Sequence, residues 1–172
     1  VYKRQLTTSM TTKEAMLHDW GSRDQKFIDL NHSIRESLVK LIDGENNYQC
    51  VPMQGSGTFA VESMVGSLTS KDAKILILIN GAYGHRMKKM CDYVGRECIT
   101  YEVAEHEQHD LDEIENIIDS NTDLTHVFAV YCETTSGILN PIQKISDLVA
   151  KKNLSLFIDA MSAFGALPLS CL

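Results

Sequence analysis

The chain has 172 residues, of which 44% are hydrophobic and 23% are charged, so an ordinary globular domain with a substantial core is expected. Its formal net charge is −7 and it contains no block of basic residues, which argues against nucleic acid and anionic membranes as partners. The longest apolar run, residues 75–79, is far too short to span a bilayer, and we expect a cytoplasmic protein.

The first 45 residues have a helical pattern. The spacing of their apolar side chains predicts amphipathic helices over residues 11–18 and 32–41. The pattern alone does not indicate what these helices do.

A glycine-rich turn follows next. A short strand is predicted at residues 49–53 and a helix at 58–67, and the turn between them contains Gly55, Ser56, Gly57 and Thr58. Small residues at a helix N-terminus allow backbone N–H groups to approach a phosphate. Such turns also serve tight packing, so phosphate binding and packing are equal alternatives at this point.

The rest of the chain alternates short apolar strands with amphipathic helices. Right-handed crossovers between such strands build a parallel sheet, whose carboxyl ends form a ligand crevice. The sequence therefore predicts an α/β fold. The predicted strands are 74–79, 97–101, 126–131 and 155–159, and the predicted helices are 84–93, 110–120 and 142–152.

Polar side chains follow several of these strands. Tyr83 could lay its ring on a flat heterocycle, but a half-buried turn tyrosine is favoured when the residue is taken alone. Thr134, Thr135 and Ser136 offer hydroxyls to a phenolic oxygen or to the loop backbone. Asp159 ends an apolar strand, where a carboxylate is costly without a positive partner, so a functional role is favoured.

No metal site is predicted. Residues 105–110 contain acidic and histidine side chains, but the segment has no apolar face and no further ligands, so a solvated loop before a helix is favoured. The five cysteines form no C-x-x-C pair and no zinc-like spacing, and we interpret them as reduced.

The chain resembles the class V aminotransferase group of the fold-type-I pyridoxal phosphate (PLP) enzymes. The resemblance extends from residue 6 to about residue 169. Residues 6–9, 12–17 and 19–20 are similar to the opening segment of those members that use 2-aminoethylphosphonate as amino donor. Four motifs that occur in the same order carry the resemblance: QGSGT (54–58), NGAYG (80–84), ETTSGILNP (133–141) and IDAMSAFG (158–165).

The resemblance implies PLP as the cofactor and a set of residues that hold it. These residues would be Ser56, Gly57, Thr58, Tyr83, Thr134 and Asp159. The first three would bind the phosphate, and the last three would stack on the pyridine ring, contact the ring hydroxyl and pair with the ring nitrogen, respectively. The pairing with the ring nitrogen would make Asp159 the catalytic residue of this chain.

The resemblance also implies a reaction and an architecture. The intact enzyme would be a homodimer that transfers the amino group of 2-aminoethylphosphonate to pyruvate, giving phosphonoacetaldehyde and alanine. Its fold would be the three-layer, mainly parallel sheet of the PLP-dependent transferase large domain, incomplete here at the C-terminus. No residue matches the Schiff-base lysine or the carboxylate-binding arginine of the group, so we interpret the chain as an inactive N-terminal fragment.

The same comparison by motif predicts three segments. Residues 1–5 and residues 171–172 fit no position of the group and are both interpreted as non-native, residues 1–5 as a leader. Residues 6–45 would form an N-terminal helical segment, and residues 46–172 the truncated PLP-binding large domain.

Two alternative functions stay open. The first is another class V aminotransferase, one that acts on glyoxylate or serine. The second is a non-catalytic α/β module that binds a nucleotide or a flavin. The chain lacks G-x-G-x-x-G, and Asp159 would have no evident use with a ligand bound through phosphate alone, which argues against the second alternative.

Overall fold

The computed structural model describes residues 8–171. The expectations for residues 1–5, for the start of the opening motif at residues 6–7 and for residue 172 lie outside this range. Within it the helices are α1 (Met10–Ala15), α2 (Gln25–Lys40), α3 (Gly57–Leu68), α4 (Ala82–Val94), α5 (Leu111–Ser120) and α6 (Ile142–Lys151). The strands are β1 (Lys74–Ile79), β2 (Glu97–Glu102), β3 (His126–Val130) and β4 (Ser155–Asp159).

The described residues form two compact units. One unit combines residues 8–52 with residues 169–171 and contains α1 and α2. In this unit the Ser9 hydroxyl caps α1 by accepting the N–H of Thr12 at 3.2 Å, and Cys171 N–H donates to the Ile42 carbonyl at 2.9 Å. The other unit, Met53–Pro168, contains the sheet and the remaining helices.

The sheet is parallel throughout and has the strand order β2-β1-β3-β4. This finding confirms the predicted α/β fold. From β1 the chain goes outward to β2 at one edge of the sheet, and it then passes over β1 to reach β3 and β4. Right-handed crossovers therefore place α4 on one face and α5 and α6 on the other. The order reverses between β1 and β3, and the carboxyl ends of these two strands form a crevice.

The core lies on both faces of β1, because Ile75 to Ile79 are all buried. One cluster joins alternate β1 residues to Val65 of α3 and to Met87 and Cys91 of α4. On α6 the four apolar residues that helical periodicity places on one face are all buried: Ile142, Ile145, Leu148 and Val149.

The strand predicted at residues 49–53 is wrong. The structure has no strand there, and Val51 is 72% exposed. Pro52 has no N–H to donate to a neighbouring strand, which makes the segment a poor member of a sheet. The Cys50 carbonyl instead accepts a hydrogen bond from Arg35 Nε of α2 at 2.8 Å. The glycine-rich turn therefore follows a loop.

Candidate active site

The glycine-rich turn forms the N-terminus of α3. Gly55 has a φ of +146°, and a Cβ there would lie 3.0 Å from Phe59 Cδ1, so the turn requires glycine. Ser56 is the N-cap, and its hydroxyl accepts the N–H of Phe59 at 3.3 Å. The first i→i−4 hydrogen bond of α3 is donated by the Ala60 amide to the Ser56 carbonyl. The amides of Gly57 and Thr58 precede this bond and have no acceptor within the helix. With no acidic residue in the first turn, this end of α3 fits an anion such as phosphate.

Tyr83 lies in the first turn of α4, at the carboxyl end of β1. It is partly buried against the core. The guanidinium of Arg86 lies 4.7 Å from the centroid of the Tyr83 ring. Arg86 Nη1 also donates to Thr58 Oγ1 at 3.2 Å. Arg86 thereby connects the start of α4 with the start of α3.

Asp159 is the last residue of β4 and is half-buried. Its carbonyl accepts the N–H of Tyr131 at 2.9 Å, which extends the pairing of β3 with β4 by one residue. Its Oδ1 accepts the N–H of Met161 at 3.0 Å, and no donor within residues 8–171 reaches Oδ2. One oxygen of this carboxylate is thus fixed by the backbone, and the other can face a ligand.

The predicted site residues lie on four turns that meet at one end of the sheet. The hydroxyl of Thr134, after β3, is hydrogen-bonded to the hydroxyl of Ser162, after β4. A Cβ on Gly57 would lie 3.8 Å from Met161 Sδ, so the start of α3 also reaches the turn after β4. Together with the Arg86 contacts, these pairs place the glycine-rich turn, Tyr83, Thr134 and Asp159 at the same end of the sheet.

Glu133 belongs to this site, although its sequence context assigned it no role. It is fully buried, three residues beyond the end of β3, and its Oε2 accepts the N–H of Tyr83 at 3.2 Å. Its position after an apolar strand is the same signal that marked Asp159. In the sequence the three hydroxyl residues that follow Glu133 were the more evident ligand-binding candidates of this motif.

A pair of buried amides joins the turns after β1 and β3 behind the crevice. Asn80 Nδ2 donates to Asn140 Oδ1 at 2.9 Å and to the Glu107 carbonyl at 3.0 Å. Asn140 Nδ2 donates in turn to the Val130 carbonyl at 2.9 Å. These bonds satisfy polar groups that would otherwise be costly in the interior, and they hold the two turns in place.

His109 corrects the prediction of a solvated loop at residues 105–110. The segment is a loop, and residues 105–108 are exposed, but His109 is only 4% exposed because its ring packs edge-on against Tyr101. Neither ring nitrogen has a hydrogen-bond partner within residues 8–171. Burial lowers the pKa of His109; the Ile79 and Tyr101 backbone and the Asn140 side chain oppose this shift without reaching hydrogen-bond geometry.

Two kinds of feature are absent from the described part of the chain. Among residues 8–171, no three His, Cys, Asp or Glu side chains are grouped so that they could hold a metal ion. No helix in the same range combines the length and the apolar character needed to cross a membrane.

Comparison with known protein families gives a match over nearly the whole chain. The family model for class-V aminotransferases matches residues 3–171. A 2-aminoethylphosphonate–pyruvate transaminase from Pseudomonas fluorescens (strain Pf0-1) is 47% identical over 163 residues, which cover 95% of this chain and 44% of that protein. One from Paraburkholderia xenovorans (strain LB400) is 49% identical, over 95% of this chain and 42% of that protein. The chain thus spans less than half the length of these curated relatives.

Solved structures share the fold at lower identity. Alanine–glyoxylate aminotransferase from Nostoc sp. has a TM-score of 0.85 at 22% identity, over 92% of this chain and 42% of that one. Ureidoglycine–glyoxylate aminotransferase from Bacillus subtilis has a TM-score of 0.86 at 20% identity, over 94% of this chain and 41% of that one. These matches agree with a three-layer α/β architecture.

Proposed function

Because this chain belongs to the class V aminotransferases, we propose that the complete protein transfers the amino group of 2-aminoethylphosphonate to pyruvate, giving phosphonoacetaldehyde and alanine. The observation that carries the proposal is the 47% identity, over 95% of the chain, to a 2-aminoethylphosphonate–pyruvate transaminase. The same family membership implies PLP as the cofactor. Such an enzyme would act in the breakdown of phosphonates.

The turn at the start of α3 would hold the phosphate of PLP. The amides of Gly57 and Thr58 and the hydroxyl groups of Ser56 and Thr58 are donors of the kind that a phosphate accepts. The positive end of α3 adds a favourable charge interaction. Arg86, which donates to Thr58 Oγ1 at 3.2 Å, places a fixed positive charge beside the same turn.

The remaining residues would orient the ring. Tyr83 would cover one face of the ring, and the Thr134 hydroxyl would bind its phenolic oxygen. When bound, PLP withdraws electrons from the substrate carbon that carries the amino group. The Asp159 carboxylate would keep a proton on the ring nitrogen, and the Met161 amide, 3.0 Å from Oδ1, holds that carboxylate in one orientation.

We also propose that the complete protein is a homodimer located in the cytoplasm. Within residues 8–52, Met16 and Leu17 are 75% and 83% exposed, and covering such side chains would favour a homodimer. All five cysteines are free thiols, as is usual in the reducing cytoplasm.

The test uses the protein translated from the complete gene. It is mixed with PLP, its visible absorption spectrum is recorded, and alanine formation from 2-aminoethylphosphonate and pyruvate is measured. We expect a bound-cofactor band and catalytic formation of alanine. Parallel reactions replace pyruvate with glyoxylate, or 2-aminoethylphosphonate with serine or alanine.

The alternatives give different results in the same experiment. Bound PLP with turnover only in the glyoxylate or serine reactions would indicate another class V aminotransferase. A protein that binds no PLP at all would indicate a non-catalytic α/β module.

A further inference from the structure

Glu133 is a fully buried carboxylate held only by hydrogen-bond donors. Its Oε2 accepts the N–H of Tyr83 at 3.2 Å, and its Oε1 accepts the N–H and hydroxyl of Thr135 at 3.3 and 2.9 Å. Within residues 8–171 no Lys, Arg or His forms an ion pair with it. Burying a carboxylate in this way is costly, so the donors that surround it have to remain in place.

The carboxylate replaces a missing helix cap. α4 begins after Gly81, an N-cap residue with no side chain to accept the first amides of the helix. Glu133 occupies that space, because a Cβ on Gly81 would lie 2.4 Å from Glu133 Cγ. A capping side chain accepts the N–H of the second or third helical residue, and Tyr83 is the second residue of α4. The cap of α4 is therefore supplied by the turn after β3.

Glu133 also fixes the turn that carries Thr134. Its backbone N–H donates to the Ile138 carbonyl at 2.9 Å, and its own carbonyl accepts the N–H of Gly137 at 2.7 Å. Its side chain holds Thr135 from the inside of the same turn. Thr134 lies between Glu133 and Thr135, so its backbone position depends on Glu133, while its hydroxyl is bonded to the hydroxyl of Ser162.

We propose that Glu133 is a positioning residue that sets Tyr83 and Thr134 relative to each other, so that both can contact one PLP ring. This inference rests on the proposed function, which gives Tyr83 the ring face and Thr134 the ring hydroxyl. Because its side chain is fully buried, Glu133 would act through these two residues and not by contacting the ligand itself. Without its carboxylate, the Tyr83 amide and the Thr135 hydroxyl lose their acceptor, and the turn and the helix can separate.

The test compares Glu133→Gln with the wild type in the protein from the complete gene. Glutamine keeps the size of the side chain, but its NH₂ group cannot accept a hydrogen bond, so either Tyr83 or Thr135 loses its partner. We expect the Kd for PLP to rise about 10- to 100-fold, as for loss of a hydrogen bond to a charged group. Hydrogen exchange at the Tyr83 amide of the cofactor-free protein should accelerate, and the circular dichroism of bound PLP should change. Glu105→Gln, on the exposed loop, is the matched control.

The outcomes separate this inference from the proposed function. The inference alone would be overturned if the wild type binds PLP and the folded Glu133→Gln variant has the same Kd, circular dichroism and hydrogen exchange as the wild type. A wild type that binds no PLP would overturn the proposed function and the inference with it. Should Glu133→Gln fail to fold, Thr135→Val removes only the 2.9 Å hydroxyl bond. That variant is expected to raise the Kd about 3- to 10-fold, and an unchanged Kd would overturn the inference.

Discussion

Three buried or half-buried polar side chains differ in how the fold compensates for their burial. Glu133 is surrounded by donors, and Asp159 has one oxygen bonded and the other available. His109 is buried with neither nitrogen bonded within residues 8–171. The fully hydrogen-bonded Glu133 stabilises the structure, and the second oxygen of Asp159 is available to bind a ligand. The buried His109, which has no hydrogen bond within residues 8–171, lowers the stability of the fold.

Replacement of Asp159 tests its assigned role. In the complete protein, Asp159→Asn should lower kcat by on the order of 10- to 1000-fold, because an opposite charge shifts the proton affinity of its partner by about 1–3 pKa units. Steady-state kinetics with saturating PLP measure the effect. Asp147→Asn, on the exposed side of α6, is the control. A kcat close to that of the wild type would show that another group holds the ring nitrogen.

Burial of His109 makes the stability depend on pH. Because burial lowers its pKa from the usual 6.5, the unfolded chain binds a proton below about pH 6.5 that the folded chain does not. The free energy of unfolding should therefore fall as the pH decreases from 7.5 to 5.5, by up to about 1.4 kcal/mol per pH unit from this group.

The variant His109→Phe keeps the ring contact with Tyr101 and removes the titration. Urea unfolding at pH 7.5 and 5.5 should show a smaller loss of stability than in the wild type. Part of the pH dependence will remain, since burial also lowers the pKa of His126. The exposed His106, replaced by Phe, serves as control. Equal pH dependence in His109→Phe and the wild type would contradict the prediction.

At the scale of the elements, α4 is the helix that connects the sheet to the site. It packs against β1 through Gly84, where a Cβ would lie 2.9 Å from Ile79 Cα and 3.1 Å from Ile79 Cγ2. The absence of a side chain lets the helix approach the strand backbone. Its first turn carries Tyr83, so the position of the helix on the sheet also sets the position of the aromatic ring.

Substitution of Gly84 tests this close packing. Gly84→Ala should lower the free energy of unfolding by about 1–3 kcal/mol, since the strand backbone cannot move aside easily. Gly66→Ala in α3 is the matched control, because the nearest atom to its Cβ would be Val94 Cγ1 at 4.0 Å. The control should be neutral or more stable by about 0.5–1 kcal/mol. Denaturant unfolding of both variants measures the difference, and equal effects would contradict the prediction.

The sequence predicted those elements whose apolar pattern agrees with their burial. All four observed strands were expected, because each is a short, largely apolar run bounded by polar or glycine residues. The expected strand at residues 49–53 has a similar apolar content, but a pattern of five residues cannot show that Pro52 lacks a partner strand. The cap supplied by Glu133 was not predictable, since it joins residues 50 positions apart through a contact that only the sheet order creates.

For the whole molecule, the distribution of exposed apolar side chains leads to a prediction about assembly. Leu17 is 83% exposed in the unit that contains α1 and α2. If a second subunit covers it, Leu17→Glu should raise the dimer dissociation constant of the complete protein by about 10- to 100-fold. Sedimentation equilibrium measures this constant. Leu68→Glu, at a 65% exposed site in the other unit, should leave it unchanged, and equal effects would rule out a specific role for Leu17.

The central position of β1 has a consequence for the synthesis of the chain. Ile75 of β1 pairs with His126 of β3, so one edge of β1 has no partner strand until about 50 further residues have been synthesised. At a translation rate of about 5–20 residues per second, the run from Ile75 to Ile79 is without that neighbour for about 3–10 s. Extended apolar segments of this kind aggregate readily or bind chaperones. Newly made chains should therefore depend on chaperones during the interval between emergence of β1 and emergence of β3.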